Sequence, residues 1–240
     1  MILIIRPKSE IQDFKKILEK KKYTYLFEPL TYFRKTKMSF DYDPDHYYLV
    51  SSKQSVLSLK KNLKKYKTLI LEGKFLVVGE KIKKELNLIG VRKILKTFLD
   101  SYELEKYLKR NKKIKCINHL TSNISNEVLK KIKKAGKTKI IFTIIYKTYF
   151  KKNLSYKLKK IIAERKISVM LHYSLKSSEV FLSKFSNQDK YFFGNDVVHL
   201  CLSKRISAGL KKIVGKVKKL KVAKKPVQNE MLLLLDNMKF

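Results

Sequence analysis

At 240 residues, 44% of them hydrophobic, the chain has room for two α/β domains of ordinary size, each with its own core. Its longest apolar runs are Phe75 to Val78, Ile140 to Tyr146 broken only by Thr143, and Met231 to Leu235. All are far short of the roughly 20 residues that a membrane-spanning helix needs, so no membrane partner is expected. The net charge of +37 invites a nucleic-acid reading, because clustered basic side chains gain affinity by releasing phosphate counterions. The lysines, however, occupy the polar face of nearly every predicted helix, and only six of the 57 basic residues are arginine. Lys, Ile, Asn, Tyr and Phe share A/T-rich codons, so no specific nucleic acid is expected as partner, and the basicity is at most useful toward an anionic substrate.

The chain opens on a strand, Ile2 to Ile5, with no basic stretch leading into a long apolar one, so export is not expected and a cytoplasmic location is. Ser9 and Gln12 stand at capping-box spacing before a helix whose apolar face is Ile11, Phe14, Ile17 and Leu18. Tyr25 to Phe33 reads as a strand, interrupted by Pro29, which an edge or linker strand tolerates and a central one does not. Tyr47 to Val50 is a strand that gives way to Ser51-Ser52-Lys53-Gln54-Ser55 and a helix carrying Val56, Leu59 and Leu63. The pattern recurs at Lys74 to Val78, where Gly79 ends a strand, and at Asp100 or Ser101, which caps a helix with Leu104 and Leu108. A strand from Ile114 to Asn118 leads to a turn, His119 to Asn123, then to a stripe of Val128, Leu129, Ile132 and Ala135 stopped by Gly136.

Lys139 to Phe150 is the longest strand candidate. Its first half is apolar at nearly every position, as in a strand buried on both faces, and its second half alternates Tyr146, Thr148 and Phe150 with lysines. This stretch and Tyr25 to Phe33 read as paired crossings between two domains. Beyond it come a helix from Ser155 to Arg165, a strand from Ile167 to Leu171, a turn from Tyr173 to Ser178, and a helix from Glu179 to Phe185. A strand from Val197 to Leu202, the turn Ser203-Lys204-Arg205, a helix with Ile206, Leu210 and Ile213, a short strand Leu220 to Ala223, and a last helix from about Asn229 complete the chain. Alternating strands and helices imply α/β architecture with parallel sheets. Four strand-to-helix turns are rich in hydroxyls, at the carboxyl ends of parallel strands where such sheets bind ligands, with helix N–H groups suited to carboxylates or phosphates. No turn matches a dinucleotide-binding or Walker pattern.

Cys116 and Cys201 lie far apart in apolar runs and read as buried thiols of a reducing compartment; no Cys/His cluster suggests a metal. His172 and His199 fall in strand-like runs, where a satisfied core histidine is expected.

The ordered set Ile4-Ile5-Arg6-Pro7, Glu28-Pro29-Leu30, Ser51 to Val56, Val77 to Glu80, Tyr146-Lys147-Thr148, Tyr173 to Ser177, Cys201 to Ile206 and Ala223 to Pro226 resembles uroporphyrinogen-III synthase over almost the whole chain. No motif is specific alone; the resemblance lies in their order and spacing. It departs from the family pattern at Thr121-Ser122, at Ile82-Lys83, and at Leu175 and Val227. The resemblance implies two parallel-sheet α/β domains joined by a two-stranded ribbon, one built from both chain ends: residues 1–31 with 150–240, and 34–147. It also implies a monomeric hydro-lyase without metal or cofactor that cyclises the linear tetrapyrrole hydroxymethylbilane to uroporphyrinogen III, with loss of water and inversion of ring D. Orientation of the bilane should then matter more than any one side chain. Tyr146 is the candidate proton donor to the departing hydroxyl, because a phenol of ordinary pKa near ~10 is protonated at neutral pH. Ser51, Ser52, Thr121, Ser122, Ser174, Ser177 and Ser203 are the candidates for the substrate's carboxylates, with Arg6 and Lys176 adding charge. The competing readings are a basic nucleic-acid-binding protein and a tetrapyrrole-binding homologue without activity.

Overall fold

The computed structural model describes residues 1–36, 40–124, 127–134 and 138–238. The chain forms two compact units, a terminal unit of Met1–Tyr32 with Tyr149–Phe240 and an inserted unit of Phe33–Thr148. It opens with β1 (Ile2–Ile4), a 3-10 turn (Lys8–Glu10), α1 (Gln12–Lys20) and β2 (Tyr25–Phe27). Then follow β3 (Thr31–Lys35), β4 (Tyr47–Val50), α2 (Lys53–Lys60), α3 (Lys67–Glu72), β5 (Lys74–Val78), α4 (Glu80–Leu88), β6 (Ile94–Phe98), α5 (Ser101–Arg110), β7 (Cys116–Ser122), α6 (Glu127–Lys134) and β8 (Lys139–Phe150). The return comprises α7 (Tyr156–Ala163), β9 (Val169–His172), α8 (Leu175–Leu182), α9 (Asn187–Asn195), β10 (Val198–Cys201), α10 (Lys204–Val214), β11 (Leu220–Val222) and α11 (Gln228–Asp236).

The terminal unit holds a five-stranded sheet of order β11-β10-β9-β1-β2, parallel throughout. Its two faces are covered by separate apolar clusters. One gathers Leu3, Ile5, Met170, Phe181, Phe193 and Cys201; the other gathers Ile2, Ile4, Phe14, Leu171, Leu200 and Met231. Alternate residues of each strand supply opposite faces, which is why β1 and the Val169 to Leu171 stretch of β9 read as unbroken apolar runs. The inserted unit holds a six-stranded sheet of order β3-β8-β7-β4-β5-β6, with parallel pairing from β8 to β6. Its faces are likewise packed, one by Tyr48, Val50, Phe75 and Leu120, the other by Leu49, Leu76, Phe98 and Ile117. β3 and β8 contain the two points where the chain passes from one unit to the other.

Several sequence expectations are corrected. The stretch from Tyr25 to Phe33 is two edge strands separated by Glu28-Pro29-Leu30. The buried Glu28 accepts hydrogen bonds from Ser155 Oγ at 2.6 Å and Ser155 N–H at 3.3 Å, so it anchors the residue that caps α7. α1 begins at Gln12 with Ile11 at its N-cap and no side-chain cap, so Gln12 stands at the first helical position and not the third, as a capping box requires. The first half of β8 is only half-buried from Ile141 to Ile144; β3, with five residues, cannot flank all twelve of β8. Further along, Tyr146 and Thr148 are buried and Lys147 is exposed, the expected alternation. β7 continues to Ser122, which makes His119 to Ser122 strand and not turn. α8 begins at Leu175, four residues before Glu179, because Ser174 already caps it. Cys116 is half-buried, not buried like Cys201. The expected Ala135 stripe residue and Gly136 stop lie outside the described residues. Among the described residues, no helix is long and apolar enough to cross a membrane.

Candidate active site

Parallel pairing fixes which residues meet at the carboxyl end of the six-stranded sheet. Val50 of β4 is registered with Leu120 of β7, Thr121 with Ile144 of β8, and Ser122, across an irregularity in the ladder, with Tyr146. The turn after β4 therefore stands beside Thr121, Ser122 and Tyr146. Ser52 caps α2 by accepting from Ser55 N–H at 3.1 Å. Its extended backbone and short hydroxyl are what an N-cap requires.

The hydroxyls around Ser52 form a chain whose proton direction can be derived. Ser55 Oγ lies 2.7 Å from the Leu120 carbonyl, which can only accept, so the Ser55 proton points there. Ser55 Oγ, 2.8 Å from Ser52 Oγ, must then accept the Ser52 proton. Ser52 Oγ, 3.0 Å from Tyr146 Oη, must in turn accept the phenol proton. The order is Tyr146 to Ser52 to Ser55 to Leu120. Ser52 donates once and accepts twice, from Tyr146 and from Ser55 N–H, which fills its hydrogen-bonding capacity. Tyr146 is 7% exposed, its ring edge-on to Phe33 at 5.8 Å.

Ser51 has the opposite polarity. Its Oγ is 3.0 Å from His119 Nε2, and His119 is buried with Nδ1 unpartnered. Burial lowers the imidazole to about 4, so the ring is neutral and carries one proton. Leaving a buried N–H unmade costs more than leaving a bare ring nitrogen, which assigns the proton to Nε2. Ser51 accepts it and keeps its own proton for another acceptor. Thr121 and Ser122 are buried, and Ser122 Oγ accepts from Ile124 N–H at 3.1 Å.

In the terminal unit, register brings the ends of β1, β9 and β10 together, Ile4 beside Leu171 and His172 beside Cys201. Arg6, Ser174, Ser177 and Ser203 follow those strands. Ser174 and Ser203 cap α8 and α10, accepting from Ser177 N–H and Ile206 N–H, both at 3.4 Å. Ser177 is buried, 3.3 Å from Thr31 Oγ. Arg6 is held by Glu10 Oε2 at 3.0 Å and Gln228 Oε1 at 2.9 Å, with its guanidinium 4.2 Å from the Tyr173 ring centroid. Its charge is thus shared with a carboxylate that sequence reasoning passed over. Lys176 is exposed and pairs with Glu179 at 3.1 Å. The structure thus brings Ser51, Ser52, Thr121, Ser122 and Tyr146 together at one sheet end, and Arg6, Ser174, Ser177 and Ser203 at the other sheet's end. Ser55 and His119, which set the polarity of the first group, were missed as functional residues; the Ser52/Ser55 spacing of three was the available clue.

The core reading of His172 and His199 holds. His199 Nε2 donates to the Phe193 carbonyl at 2.7 Å, so its Nδ1 accepts from His172 Nε2 at 2.8 Å, and His172 Nδ1 lies 2.8 Å from Ser178 Oγ, whose single proton it shares with the Ser174 carbonyl at 2.9 Å. Burial pushes both imidazoles down, and for His172 the neighbouring His199 adds to it.

The sequence model of uroporphyrinogen-III synthase HemD matches residues 12–232. Among solved structures, uroporphyrinogen-III synthetase from Helicobacter pylori is 17% identical with a TM-score of 0.64, covering 99% of both chains. A mutant uroporphyrinogen III synthase from Thermus thermophilus is 14% identical with a TM-score of 0.63, covering 98% of this chain and 97% of the other. No curated protein sequence matches. The two structural likenesses establish a shared fold, and the match over 12–232 establishes the lineage: the chain belongs to the uroporphyrinogen-III synthase family.

Proposed function

We propose that the protein is a working uroporphyrinogen-III synthase, which cyclises hydroxymethylbilane to uroporphyrinogen III with loss of water and inversion of ring D. The observation that carries this reading is the buried Tyr146 hydroxyl, held in a directed chain of hydroxyls at the carboxyl end of a parallel sheet. Departure of the ring A hydroxyl gives an azafulvene, the substituted carbon of ring D attacks it, and the spiro intermediate fragments and recloses inverted. Departure is eased by a proton donor, and Tyr146 takes that role by turning its proton from Ser52 to the leaving oxygen. Breaking that one neutral hydrogen bond costs about 1 kcal/mol.

The remaining candidates hold carboxylates. Ser51 brings a hydroxyl proton that its contact with His119 leaves unused, and Ser52, whose hydroxyl is spent internally, contributes through the N-terminus of α2. Thr121 and Ser122 line the same sheet end. In the terminal unit, Ser174, Ser177 and Ser203 with the N-termini of α8 and α10 offer further donors, and Arg6 and Lys176 add charge that an incoming carboxylate must share with Glu10 and Glu179. We place the enzyme in the cytoplasm as a monomer acting without a metal, a reading to which its two free thiols are suited. The test is direct: supply freshly made hydroxymethylbilane, oxidise the products and separate the porphyrin isomers. Type III product without added metal or cofactor is expected; only the spontaneous type I isomer would overturn the assignment.

A further inference from the structure

The hydroxyl chain at Tyr146 has one element that can move. The Ser55 proton is fixed on the Leu120 carbonyl, and the Tyr146 proton is to be spent in the reaction. The Ser52 hydroxyl stands between them, 2.8 Å from Ser55 Oγ and 3.0 Å from Tyr146 Oη. One rotation about its C–O bond carries its proton from the first oxygen to the second. Ser52 Oγ continues to accept from Ser55 N–H at 3.1 Å in either state, so the helix cap is not broken by the turn. The rotation is blocked while the phenol still donates to Ser52, since two protons would then lie on one axis. It is opened once the phenol proton points elsewhere.

Resting on the reading of Tyr146 as proton donor, we propose that Ser52 is its positioning residue, a two-position hydroxyl. At rest it holds the phenol proton inward. As the phenol gives that proton to the departing substrate hydroxyl, Ser52 swings its own O–H onto the phenol oxygen and stabilises the charge developing there. The proton balance is complete: the Tyr146 O–H bond breaks, the leaving hydroxyl departs as water, and the Ser52 proton changes acceptor without leaving Ser52. Ser55 sets the resting direction, because its oxygen competes with Tyr146 for the Ser52 proton. Return of a proton to the phenol resets the chain.

The arrangement predicts opposite effects from two neighbouring serines. In Ser55→Ala the competing acceptor is gone and Ser52 can serve the phenol oxygen at once; in Ser52→Gly the Ser52 hydroxyl is no longer there to donate. Glycine is chosen because it is well tolerated at an N-cap, where alanine would weaken α2. The probe is the ligand-free protein labelled with [ζ-13C]tyrosine, the Tyr146 resonance being the one missing in Tyr146→Phe. Relative to wild type, the pH at which that resonance titrates should fall in Ser55→Ala and rise in Ser52→Gly, each by roughly half a unit to one unit, the worth of one hydrogen bond. Ser52→Thr should restore the wild-type value. With hydroxymethylbilane, Ser52→Gly should lower kcat several-fold with little change in KM, and should cost nothing further in a Tyr146→Phe background.

Titration points that do not move, or that move in the same direction in both variants, would overturn the rotor whatever the kinetics show. Titration points that move as expected, together with full turnover in Tyr146→Phe, would instead overturn the proton-donor reading and with it the catalytic part of the proposal. Should Ser55→Ala fail to fold, Ser55→Cys preserves the volume with a much weaker acceptor and gives the same sign of shift.

Discussion

Ser52 and Tyr146, 94 residues apart in the chain, meet oxygen to oxygen at 3.0 Å because β4 and β8 both flank β7. Neither residue alone fixes the direction of the proton between them. It follows from a backbone carbonyl two hydrogen bonds away, at Leu120.

Tyr146→Phe should lower turnover without unfolding the protein. The ring that packs against Phe33 is kept, and the lost hydroxyl leaves Ser52 with one unfilled acceptor position and no stranded donor, a cost of about 1 kcal/mol or less. General acid assistance is typically worth about 10²–10⁴-fold. The bilane's hydroxyl also leaves with help from the pyrrole nitrogen, so a loss at the low end of that range or below it is expected. Residual product should remain type III, since many carboxylate contacts set the fold of the bound bilane. Full turnover would make Tyr146 a packing residue; a switch to type I would make its role positioning.

Glu28 should matter for stability more than its loop position suggests. It is 2% exposed, donates its backbone N–H to the Ile4 carbonyl, and is the acceptor for both N–H and O–H of Ser155. Glu28→Ala removes the acceptor of those two donors at the start of α7; Ser155 is exposed, so water can take them over, and the loss should be about 1 kcal/mol. Glu28→Gln keeps one acceptor oxygen and should cost less. Urea denaturation distinguishes them; equal losses would mean that side-chain volume, not hydrogen bonding, is what Glu28 supplies.

The fold was legible wherever both faces of a strand are buried, because such strands are written as apolar runs: Lys74 to Val78, ended by Gly79, and Ile2 to Ile5 read as strands, and β5 and β1 lie there. Caps were legible at Ser52 and Ser203, where a hydroxyl stands between strand and helix; the cap at Ser174 was not, since the turn residues up to Ser178 carry no apolar periodicity and the helix reads as starting only at Glu179. β6 was not, since Lys96 and Leu95 face solvent and a sheet edge leaves no continuous apolar pattern. Nor was α9, whose Asn, Asp and Gly carry little helical preference and whose burial comes from Phe192 and Phe193 side by side. At the site, Ser51, Ser52 and Tyr146 were legible as residue types at strand ends. Their proton directions were not, because these depend on His119, Ser55 and the Leu120 carbonyl being brought close by pairing across the sheet.

Three buried imidazoles should make the protein acid-sensitive well above the carboxylate range. In the unfolded chain each titrates near 6.5, whereas in the folded one burial holds His119 down to about 4 and lowers His172 and His199. Below about pH 6.5 the unfolded state therefore binds more protons, and stability falls as pH falls. His119 alone should remove about 2 kcal/mol by pH 5. Urea midpoints measured from pH 7.5 to 5 should drop steadily, and His119→Asn should flatten part of the drop. Midpoints constant over that range would mean that these rings bind protons in the folded state.

Gly209 offers a test in which helix propensity and packing have opposite signs. It lies inside α10, where alanine is favoured over glycine by about 1 kcal/mol, but a Cβ there would stand 2.3 and 2.7 Å from the two methyls of Leu175 and 3.1 Å from its Cγ. Leu175 opens α8 directly after the Ser174 cap, so its backbone is held and its half-buried side chain must turn or shift to admit the methyl. Overpacking of this kind costs about 1–3 kcal/mol, which outweighs the propensity gain, and Gly209→Ala should destabilise the protein. In a Leu175→Ala background the clash is gone and the same substitution should stabilise it by up to about 1 kcal/mol. The sign reversal, read from a double-mutant cycle of urea unfolding, is the decisive quantity. If Gly209→Ala stabilises the protein with Leu175 in place, the Leu175 side chain turns aside at little cost and the packing at this contact does not outweigh helix propensity.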